Sequence, residues 1–403
     1  MAAVGPYPDR FIAWMRLARI PNIGPVLVRR VVQALGSPEA VLGAHPNRLA
    51  AVEGIGPMRA ESFSRAPSAA EVEQDRAKAA GAGIRIICSD DEEWPAGLRT
   101  IGDPPIVLYV KGRLVPADAV SLGIVGARNC TLYGREQSER FGAILGEAGL
   151  CVVSGGARGI DTGAHEGALR AKGRTVVVQG CGLLNSYPPE NKPLYDRIVA
   201  TDAGAIISEL PLDAAPLAEN FPPRNRIIAG MSLGVLVIEA NMRSGSLITA
   251  RLAADDYGRE VFALPGRVDS PASSGTHHLI KTGGARLVEG LQDILDGLGD
   301  VGAVLQKVEA RQKSPPPPQA RAPSPQATAE LLFAPEAERE EPKIIWTGVQ
   351  KKVLAAMDSK AVSVDELCEK TELPAAVLMA ELTMLQIRGA VERAGGNRFA
   401  KKA

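Results

Sequence analysis

Short apolar runs rich in β-branched residues recur through the middle of the chain, separated by segments of helical length. Between the runs, segments such as residues 134–148 place apolar side chains on one face of a helix. Apolar strands that alternate with amphipathic helices are typical of a parallel sheet covered on both faces. The pattern predicts an α/β domain over residues 83–300, with ligands at the carboxyl ends of the strands. The runs lie at residues 84–88, 106–110, 121–126, 150–155, 175–182, 205–210, 233–240 and 260–266.

The first part of the chain, residues 1–68, contains a short internal repeat. An Ile-Gly-Pro turn stands at residues 23–25 and again at 55–57, each time between two helical stretches. This arrangement predicts a helical domain of the helix-hairpin-helix or SAM-like type. Its glycine turns could offer backbone N–H groups to a DNA phosphate, or could simply join packed helices. The sequence leaves both interpretations open.

The last part of the chain begins with a proline-rich segment, residues 308–342, that predicts an extended linker. Residues 343–403 then show the pattern of a winged helix. Ser363 and Glu366 form a predicted capping box, Pro374 starts a further helix, and two short strands flank the glycine pair 395–396. The longest helix exposes few basic side chains, which favours a protein-contacting or weakly DNA-binding module. The first helix, 347–357, is expected to turn inward Val349, Val353, Leu354 and Met357.

Composition narrows the class of protein but does not choose a ligand. The 46 basic residues balance the 46 acidic ones, so net charge neither predicts nor excludes a local nucleic-acid site. The five cysteines are dispersed and there are only four histidines, which argues against disulfides and a zinc site. No apolar run could span a bilayer, and acidic and basic residues interrupt the N-terminus. We therefore expect a cytoplasmic multidomain protein with no metal, cofactor or membrane partner.

The stretch SGGARGIDTGAH, residues 154–165, turns a strand into a helix through several glycines. Such a turn brings bare backbone N–H groups up to an anion, which could be a dinucleotide, a mononucleotide or a nucleic-acid phosphate. Asp161 is expected to cap the helix, which would leave the N–H groups of residues 155–159 for the ligand. His165 could be a base, but a histidine without a nearby nucleophile is more often structural.

Three further polar motifs follow predicted strands. Arg128 comes directly after the strand at 121–126, in a loop that lacks the G-x-G-x-x-G dinucleotide fingerprint. Arg224, Asn225 and Arg226 follow Phe221 in an expected polar loop, a combination that suits a sugar–phosphate chain with one stacked base. Residues 244–246, Ser-Gly-Ser, open another helix. Several such anion cradles suit a polymer better than a single nucleotide.

Motifs that would indicate catalysis are missing. The sequence contains no G-x-x-x-x-G-K-[ST] loop, no G-x-S-x-G elbow and no H-E-x-x-H helix. It also shows no activated nucleophile, so no catalytic residue is predicted.

Taken together, the motifs SGGARGIDTGAHEGAL, GCGLLNSYPPENKPL, ISELP, NFPPRNRIIAG, IEANMRSGSLITARLA and FALPG resemble the DprA/Smf family of DNA-processing proteins. The resemblance spans residues 123–288 and agrees with the helical N-terminus and the winged helix. It implies an extended Rossmann-like domain, no enzymatic activity, a homodimer, and binding of single-stranded DNA. It also implies that the protein loads a RecA-type recombinase onto incoming strands during natural transformation.

The resemblance carries over to individual residues. The dimer contacts it implies are His277, Ile280 and Leu287. The DNA-binding residues predicted from the motifs and the resemblance are Arg128, Ser154, Gly155, Gly156, Arg158, Gly159, Lys192, Arg224, Asn225, Arg226, Ser244, Gly245 and Ser246.

Two other functions compete with this one. The LOG-like enzymes, which release bases from nucleoside monophosphates, share the broad fold but carry a catalytic glutamate in a PGGxGTxxE motif. Glu166 and Glu239 are the only nearby acids here, and neither stands in such a motif. A transcription regulator would need a basic recognition helix, which the winged-helix segment hardly supplies.

Overall fold

The computed structural model describes residues 9–299, 348–357 and 362–371, together with 373, 378, 381–382, 385, 390–393 and 398–401. The chain divides into two compact units, Met1–Lys313 and Ser314–Ala403. The predicted linker at 308–342 lies outside the described residues, and the domain boundaries stay predictions.

The N-terminal part of the first unit is a set of short helices. Prolines stand in the first turn of α2 to α5, where a fixed φ and a missing N–H cost nothing. Gly24 and Gly56 are the N-cap residues of α2 and α5, so the two Ile-Gly-Pro turns occupy equivalent places. The helices are α1 (Asp9–Leu17), α2 (Pro25–Leu35), α3 (Pro38–Leu42), α4 (Pro46–Ala50), α5 (Pro57–Ser62) and α6 (Ala69–Gly81).

A nine-stranded sheet follows, in the order β1-β2-β6-β5-β4-β3-β7-β8-β9. All eight predicted strands are present. Seven neighbouring strands of this sheet are parallel, namely β6, β5, β4, β3, β7, β8 and β9. At one edge, β1 pairs with β2 and β2 with β6 in antiparallel fashion. The strands are β1 (Ile84–Cys88), β2 (Val107–Gly112), β3 (Ser121–Val125), β4 (Cys151–Ser154), β5 (Thr175–Val178), β6 (Gly204–Ser208), β7 (Gly234–Val237), β8 (Glu260–Ala263) and β9 (Arg286–Leu287).

Helices cover both faces of this sheet because successive side chains of each strand point to opposite sides. Val152 packs in a cluster with Phe141 and other side chains of α7 and α8, whereas Val153 packs with Ile227 of α10. A third cluster joins the N-terminal helices to α9 and the antiparallel edge. The helices are α7 (Leu132–Glu147), α8 (Ile160–Arg170), α9 (Lys192–Ala200), α10 (Phe221–Met231), α11 (Ser246–Arg251), α12 (Ser274–Lys281) and α13 (Leu291–Gly297).

The strand order reverses at β3. The chain runs from β3 through β4 and β5 to β6 on one side, and then returns to place β7, β8 and β9 on the other side. The loops that follow β3, β4 and β7 therefore meet at the carboxyl edge of the sheet, where ligands bind in open parallel sheets.

The second unit contains the elements of a winged helix. Helices span Gly348–Ala356 and Val364–Thr371, and three short strands pair in the order Val362–Ser363, Arg398–Lys401, Val391–Arg393. The Ser363–Glu366 capping box is present. The backbone N–H of Ser363 donates to the Glu366 carboxylate, and the backbone N–H of Glu366 donates to the Ser363 hydroxyl oxygen. Val353 and Met357 are buried as expected, but Val349 is 36% exposed, so its inward placement was wrong. Pro374 and the glycine pair 395–396 lie outside the described residues.

The described part of the chain contains neither a membrane-spanning helix nor a cluster of metal-ligating side chains. No helix there is long and apolar enough to cross a membrane. Nor do the same residues bring three or more His, Cys, Asp or Glu side chains together as a metal site.

Candidate nucleic-acid interface

A cavity of about 590 Å³ lies where the loops after β3, β4 and β7 meet. Its wall also includes Tyr187 and the N-terminal turn of α10, which begins at Phe221. We call it the Phe221 cavity. Among the residues that line it are Arg128, Asn129, Ala157, Asp161, Tyr187, Phe221, Arg224, Asn225, Arg243, Ser244, Gly245 and Ser246.

Phe221 stands at the centre of a group of cations and rings. The guanidinium carbon of Arg128 lies 4.9 Å from the ring centroid, and that of Arg224 lies 5.7 Å from it. The Tyr187 ring centroid is 5.6 Å away. Arg128 and Arg243 are exposed and form no ion pair with any described residue. The cavity therefore offers two unneutralised cations beside a half-buried aromatic ring.

Arg224 is a buried part of the cavity, only 5% exposed. Its Nη1 donates to the carbonyl oxygens of Gly155, at 2.6 Å, and of Val178. A Cβ at Gly155 would lie 2.5 Å from this guanidinium, so the close approach requires glycine. Burial lowers the pKa of Arg224, and the nearby Asp161 carboxylate opposes that effect. Arg224 thus ties the loop after β4 to the end of β5.

Arg226 differs from its predicted place in a polar loop. It lies within α10, is 7% exposed, and does not line the Phe221 cavity. Its guanidinium pairs with Glu209 and lies 3.8 Å from Asp103. Residues two apart on a helix point to opposite sides, so Arg224 and Arg226 cannot both face one cavity. The geometry gives Arg226 a structural partner, and its contact with phosphate stays a prediction.

The glycine loop is more internally bonded than expected. Asp161 lies in the first turn of α8, but the N-cap is Gly159 and no side chain caps the helix, so the expected cap at Asp161 was wrong. The Oδ2 of Asp161 instead accepts the N–H groups of Gly155 and Ala157 at 3.2 Å, so these two donors are not left for a ligand. Burial raises the pKa of Asp161, while Arg224 acts to lower it. Ser154 is buried and its hydroxyl donates to the carbonyl oxygen of Ile124. These bonds form because the loop packs against the end of the sheet.

The later part of the loop remains open to a ligand. The N–H groups of Arg158 and Gly159 donate to no acceptor within the described part of the chain. Gly159 has a φ of +76°, and a Cβ there would lie 2.5 Å from the carbonyl oxygen of Arg128. Glycine at this position lets the loops after β3 and β4 touch.

The other predicted DNA-binding residues are bonded within the protein, paired with carboxylates or exposed on the cavity wall. Gly156 accepts bonds from Asn191 and Tyr195 through its carbonyl oxygen. Arg158 is exposed and pairs with Glu190, and Lys192 is exposed and pairs with Asp196 at 2.5 Å. Ser244 and Ser246 bond to each other at 2.7 Å on the cavity wall, beside the exposed Gly245. Asn225 also lines the cavity.

His165 lies beneath this site and does not line it. It is fully buried, and its Nδ1 is 2.7 Å from the Thr175 hydroxyl. Burial lowers the pKa of His165 to about 3, and the Arg224 charge acts in the same direction. The imidazole is therefore neutral near pH 7 and has a structural role.

The predicted dimer contacts lie near the β9 edge of the sheet. Leu287 belongs to β9 and is 43% exposed. Ile280 is half-buried on α12, and His277 on the same helix bonds to the backbone of Gly266 at 3.1 Å. Their role in a dimer stays a prediction.

Among the charged and aromatic side chains that line the cavity, those of Arg243 and Tyr187 were not predicted from the sequence. Arg243 stands next to Ser244, after β7, and this position at a strand end could have marked it. Tyr187 belongs to the NSYPPE stretch, far from Phe221 along the chain, and no local pattern joins the two rings.

The chain matches the sequence models of known protein families. The sequence model of the DNA recombination-mediator protein A family matches residues 85–299. The chain belongs to this family. A DprA winged helix domain matches residues 313–397, and a SAM-like helix-hairpin-helix tandem matches residues 15–62. The resemblance to the DprA/Smf family is therefore confirmed, as is the predicted fold class.

Relatives of the DprA/Smf family align over much of the chain. Protein Smf of Synechocystis sp. is 33% identical over 96% of this chain and 98% of its own length. DNA processing protein DprA of Streptococcus pneumoniae is 45% identical over 51% of this chain and 71% of its own. The X-ray structure of the pneumococcal protein superposes with a TM-score of 0.60 and covers 72% of this chain and 97% of that one. A structure of the Helicobacter pylori protein, which describes its single-stranded DNA binding mode, has a TM-score of 0.47, 30% identity and covers 56% of this chain and 96% of its own.

Proposed function

We propose that the protein binds single-stranded DNA in the Phe221 cavity and acts as a recombination mediator. In this role it loads a RecA-type recombinase onto incoming strands during natural transformation. The observation that carries the proposal is the exposed Arg128 guanidinium over the Phe221 ring at the strand-order reversal. The ring can take a base, and the cation can take the adjoining phosphate.

The ring argues for a single strand over a duplex. Bases in a duplex are stacked on one another, so their faces cannot reach a ring in a cavity. An unpaired base can stack on Phe221, and such stacking tolerates any sequence because every base has a π-face. A mediator that acts on incoming DNA of any sequence requires such sequence-independent binding.

The unpaired cations supply the electrostatic part of binding. Arg128 and Arg243 line the Phe221 cavity without carboxylate partners in the described part of the chain. Each phosphate that such a cation neutralises releases a counterion, so affinity falls as salt rises. A neutral overall charge is compatible with this, because a local basic site can lie on a protein with no net charge.

We propose a non-enzymatic role over the LOG-like alternative. Glu239 is 2% exposed and accepts two bonds from Thr131, and Glu166 pairs with Arg197. Neither carboxylate lines the Phe221 cavity, and His165 is buried away from it. These two carboxylates and the His165 imidazole, the candidate acid and base groups, are thus committed to the fold.

The partners follow from the family and the sheet edge. A recombination mediator must contact its recombinase, and we place this activity in the cytoplasm. We also propose a homodimer through the β9 edge, where Leu287 is 43% exposed. An unpaired edge strand with apolar neighbours favours association with another chain.

A salt titration of fluorescence anisotropy tests the DNA site. Labelled single- and double-stranded oligonucleotides are titrated with wild type, with Arg128→Ala/Arg243→Ala, and with Arg48→Ala/Arg65→Ala as a charge-matched control at exposed sites. We expect preference for the single strand, and a log–log salt slope that the first variant flattens by about 1.4, or ~0.7 for each phosphate. Equal slopes for the variant and wild type would remove the cavity from the DNA site.

A further inference from the structure

A second cavity adjoins the Phe221 cavity. Its volume is about 660 Å³, and Arg128 and Asn129 line both cavities. The second cavity lies between the glycine loop, the start of α7 and the exposed side of α8. Arg128 therefore lies where the two cavities meet.

A third cavity continues in the same direction. Its volume is about 650 Å³, and it shares Glu166 of α8 with the second cavity. It is lined by the end of α8, the turn before β5 and the outer side of α9. We call the second and third cavities together the α8 trough.

The carboxylates of the α8 trough are all neutralised by arginines. Among the described residues that line it, four are acidic, and each has an ion-pair partner. The pairs are Glu139 with Arg170, Glu166 with Arg197, Glu190 with Arg158, and Asp202 with Arg113.

The cations of the trough are in excess. Arg128, Arg135 and Lys172 are exposed and form no ion pair with any described residue. The open N–H groups of Arg158 and Gly159 belong to residues of the same lining. The trough thus presents positive charge and backbone donors along one continuous path, with no unpaired carboxylate among its described residues to repel an anion.

We propose that the α8 trough holds the continuation of the same DNA strand whose base stacks on Phe221. The inference rests on the proposed function and adds the course of the DNA strand. From the Phe221 cavity the strand passes Arg128 and runs along α8 towards Lys172. A polyanion fits this path because its repeated phosphates can meet successive unpaired cations. A single nucleotide would occupy the Phe221 cavity and leave the trough empty.

Oligonucleotide length separates the two parts of the path. Wild type, Arg135→Ala/Lys172→Ala and the control Arg48→Ala/Arg65→Ala are titrated with oligothymidylates of about 5 and about 20 nucleotides over a range of salt. The trough variant should bind the short oligonucleotide like wild type. On the long one its affinity should fall about tenfold and its salt slope by about 1.4. The control should match wild type on both.

The outcomes distinguish the trough from the cavity. If the trough variant binds the long oligonucleotide with wild-type affinity and slope, the trough is not part of the DNA path, although the Phe221 cavity stands. A variant that weakens both lengths equally also overturns the trough, because the effect is then not confined to the continuation. If wild type binds neither length, the proposed function fails and the trough fails with it.

Discussion

The Arg128 guanidinium carbon lies 4.9 Å from the centroid of the Phe221 ring. The two residues come from different elements, since Arg128 follows β3 and Phe221 begins α10. The contact holds a cation and an aromatic face together before any ligand arrives. A phosphate and the base next to it can therefore meet both groups at one point of the cavity.

Replacement of Phe221 tests the stacking platform. Phe221→Ala should weaken binding of single-stranded DNA by about 1–3 kcal/mol, because one stacked base loses its partner. Phe221→Tyr keeps the ring and should bind like wild type. Anisotropy titrations at one salt concentration measure both variants, and an unchanged affinity for Phe221→Ala would show that no base stacks there.

Gly159 tests the contact between the loops after β3 and β4. Gly159→Ala should cost at least about 1–3 kcal/mol of folding free energy, because its φ is +76° and the new Cβ would press on the Arg128 carbonyl. The displaced loop should also weaken DNA binding. Gly102→Ala is the matched control, since nothing lies within 4 Å of a Cβ there and Gly102 does not line the Phe221 cavity. Urea unfolding checks both, and equal midpoints for the two variants would contradict the expected clash.

Arg226 should act on stability more than on DNA binding. Arg226→Ala leaves Glu209 without its ion-pair partner in a site where burial already raises the pKa of that carboxyl. We expect a loss of about 3–5 kcal/mol in unfolding free energy. Arg226→Met/Glu209→Leu removes both charges and should recover most of it. A stable Arg226→Ala with a flattened DNA salt slope would instead restore the predicted phosphate contact.

His165 should make folding stability depend on pH. Burial lowers its pKa to about 3, whereas an unfolded histidine titrates near 6.5. The unfolded state therefore binds more protons between these values, and the contribution of His165 to stability is lost as pH falls below about 6.5. Relative to His165→Asn, wild type should lose about 2 kcal/mol more between pH 7 and pH 5. Parallel pH profiles for the two proteins would show that His165 takes up its proton in the folded state as readily as in the unfolded state.

Leu287 tests the β9 edge as a dimer contact. Leu287→Glu should convert a dimer to a monomer, because it places a charge in an apolar contact. Leu184→Glu is the control, since Leu184 is 41% exposed and Leu287 43%. Light scattering after gel filtration measures the mass, and a dimeric Leu287→Glu would move the interface elsewhere.

Much of the fold was predictable because parallel strands that are buried on both faces appear in the sequence as continuous apolar runs. Val152 and Val153 pack on opposite faces of the sheet, so β4 reads as a continuous apolar run. β9 was not predicted because its residues, Arg286 and Leu287, are both exposed and too few to show a pattern. The start of α10 was misplaced because two prolines follow Phe221. Prolines fit the first turn of a helix, where no N–H bond is lost.

The site was predictable where it depends on strand ends and not where it depends on packing. Arg128 and the glycine loop follow β3 and β4 directly, so topology alone brings them together. Arg224 and Arg226 point to opposite sides because both lie within α10. The sequence analysis expected a loop there and therefore could not predict that the two side chains separate. The engagement of Gly155 by Asp161 depends on backbone geometry that sequence does not express.

Ultraviolet cross-linking of single-stranded DNA, followed by mass spectrometry of the linked peptides, tests the central claim most directly. An oligothymidylate of about 20 nucleotides is irradiated with the full-length protein. We predict cross-links on the peptides that contain Phe221 and Tyr187, and their loss in Arg128→Ala/Arg243→Ala. Cross-links confined to the N-terminal helices or to residues 348–401 would contradict a DNA site at the carboxyl edge of the sheet.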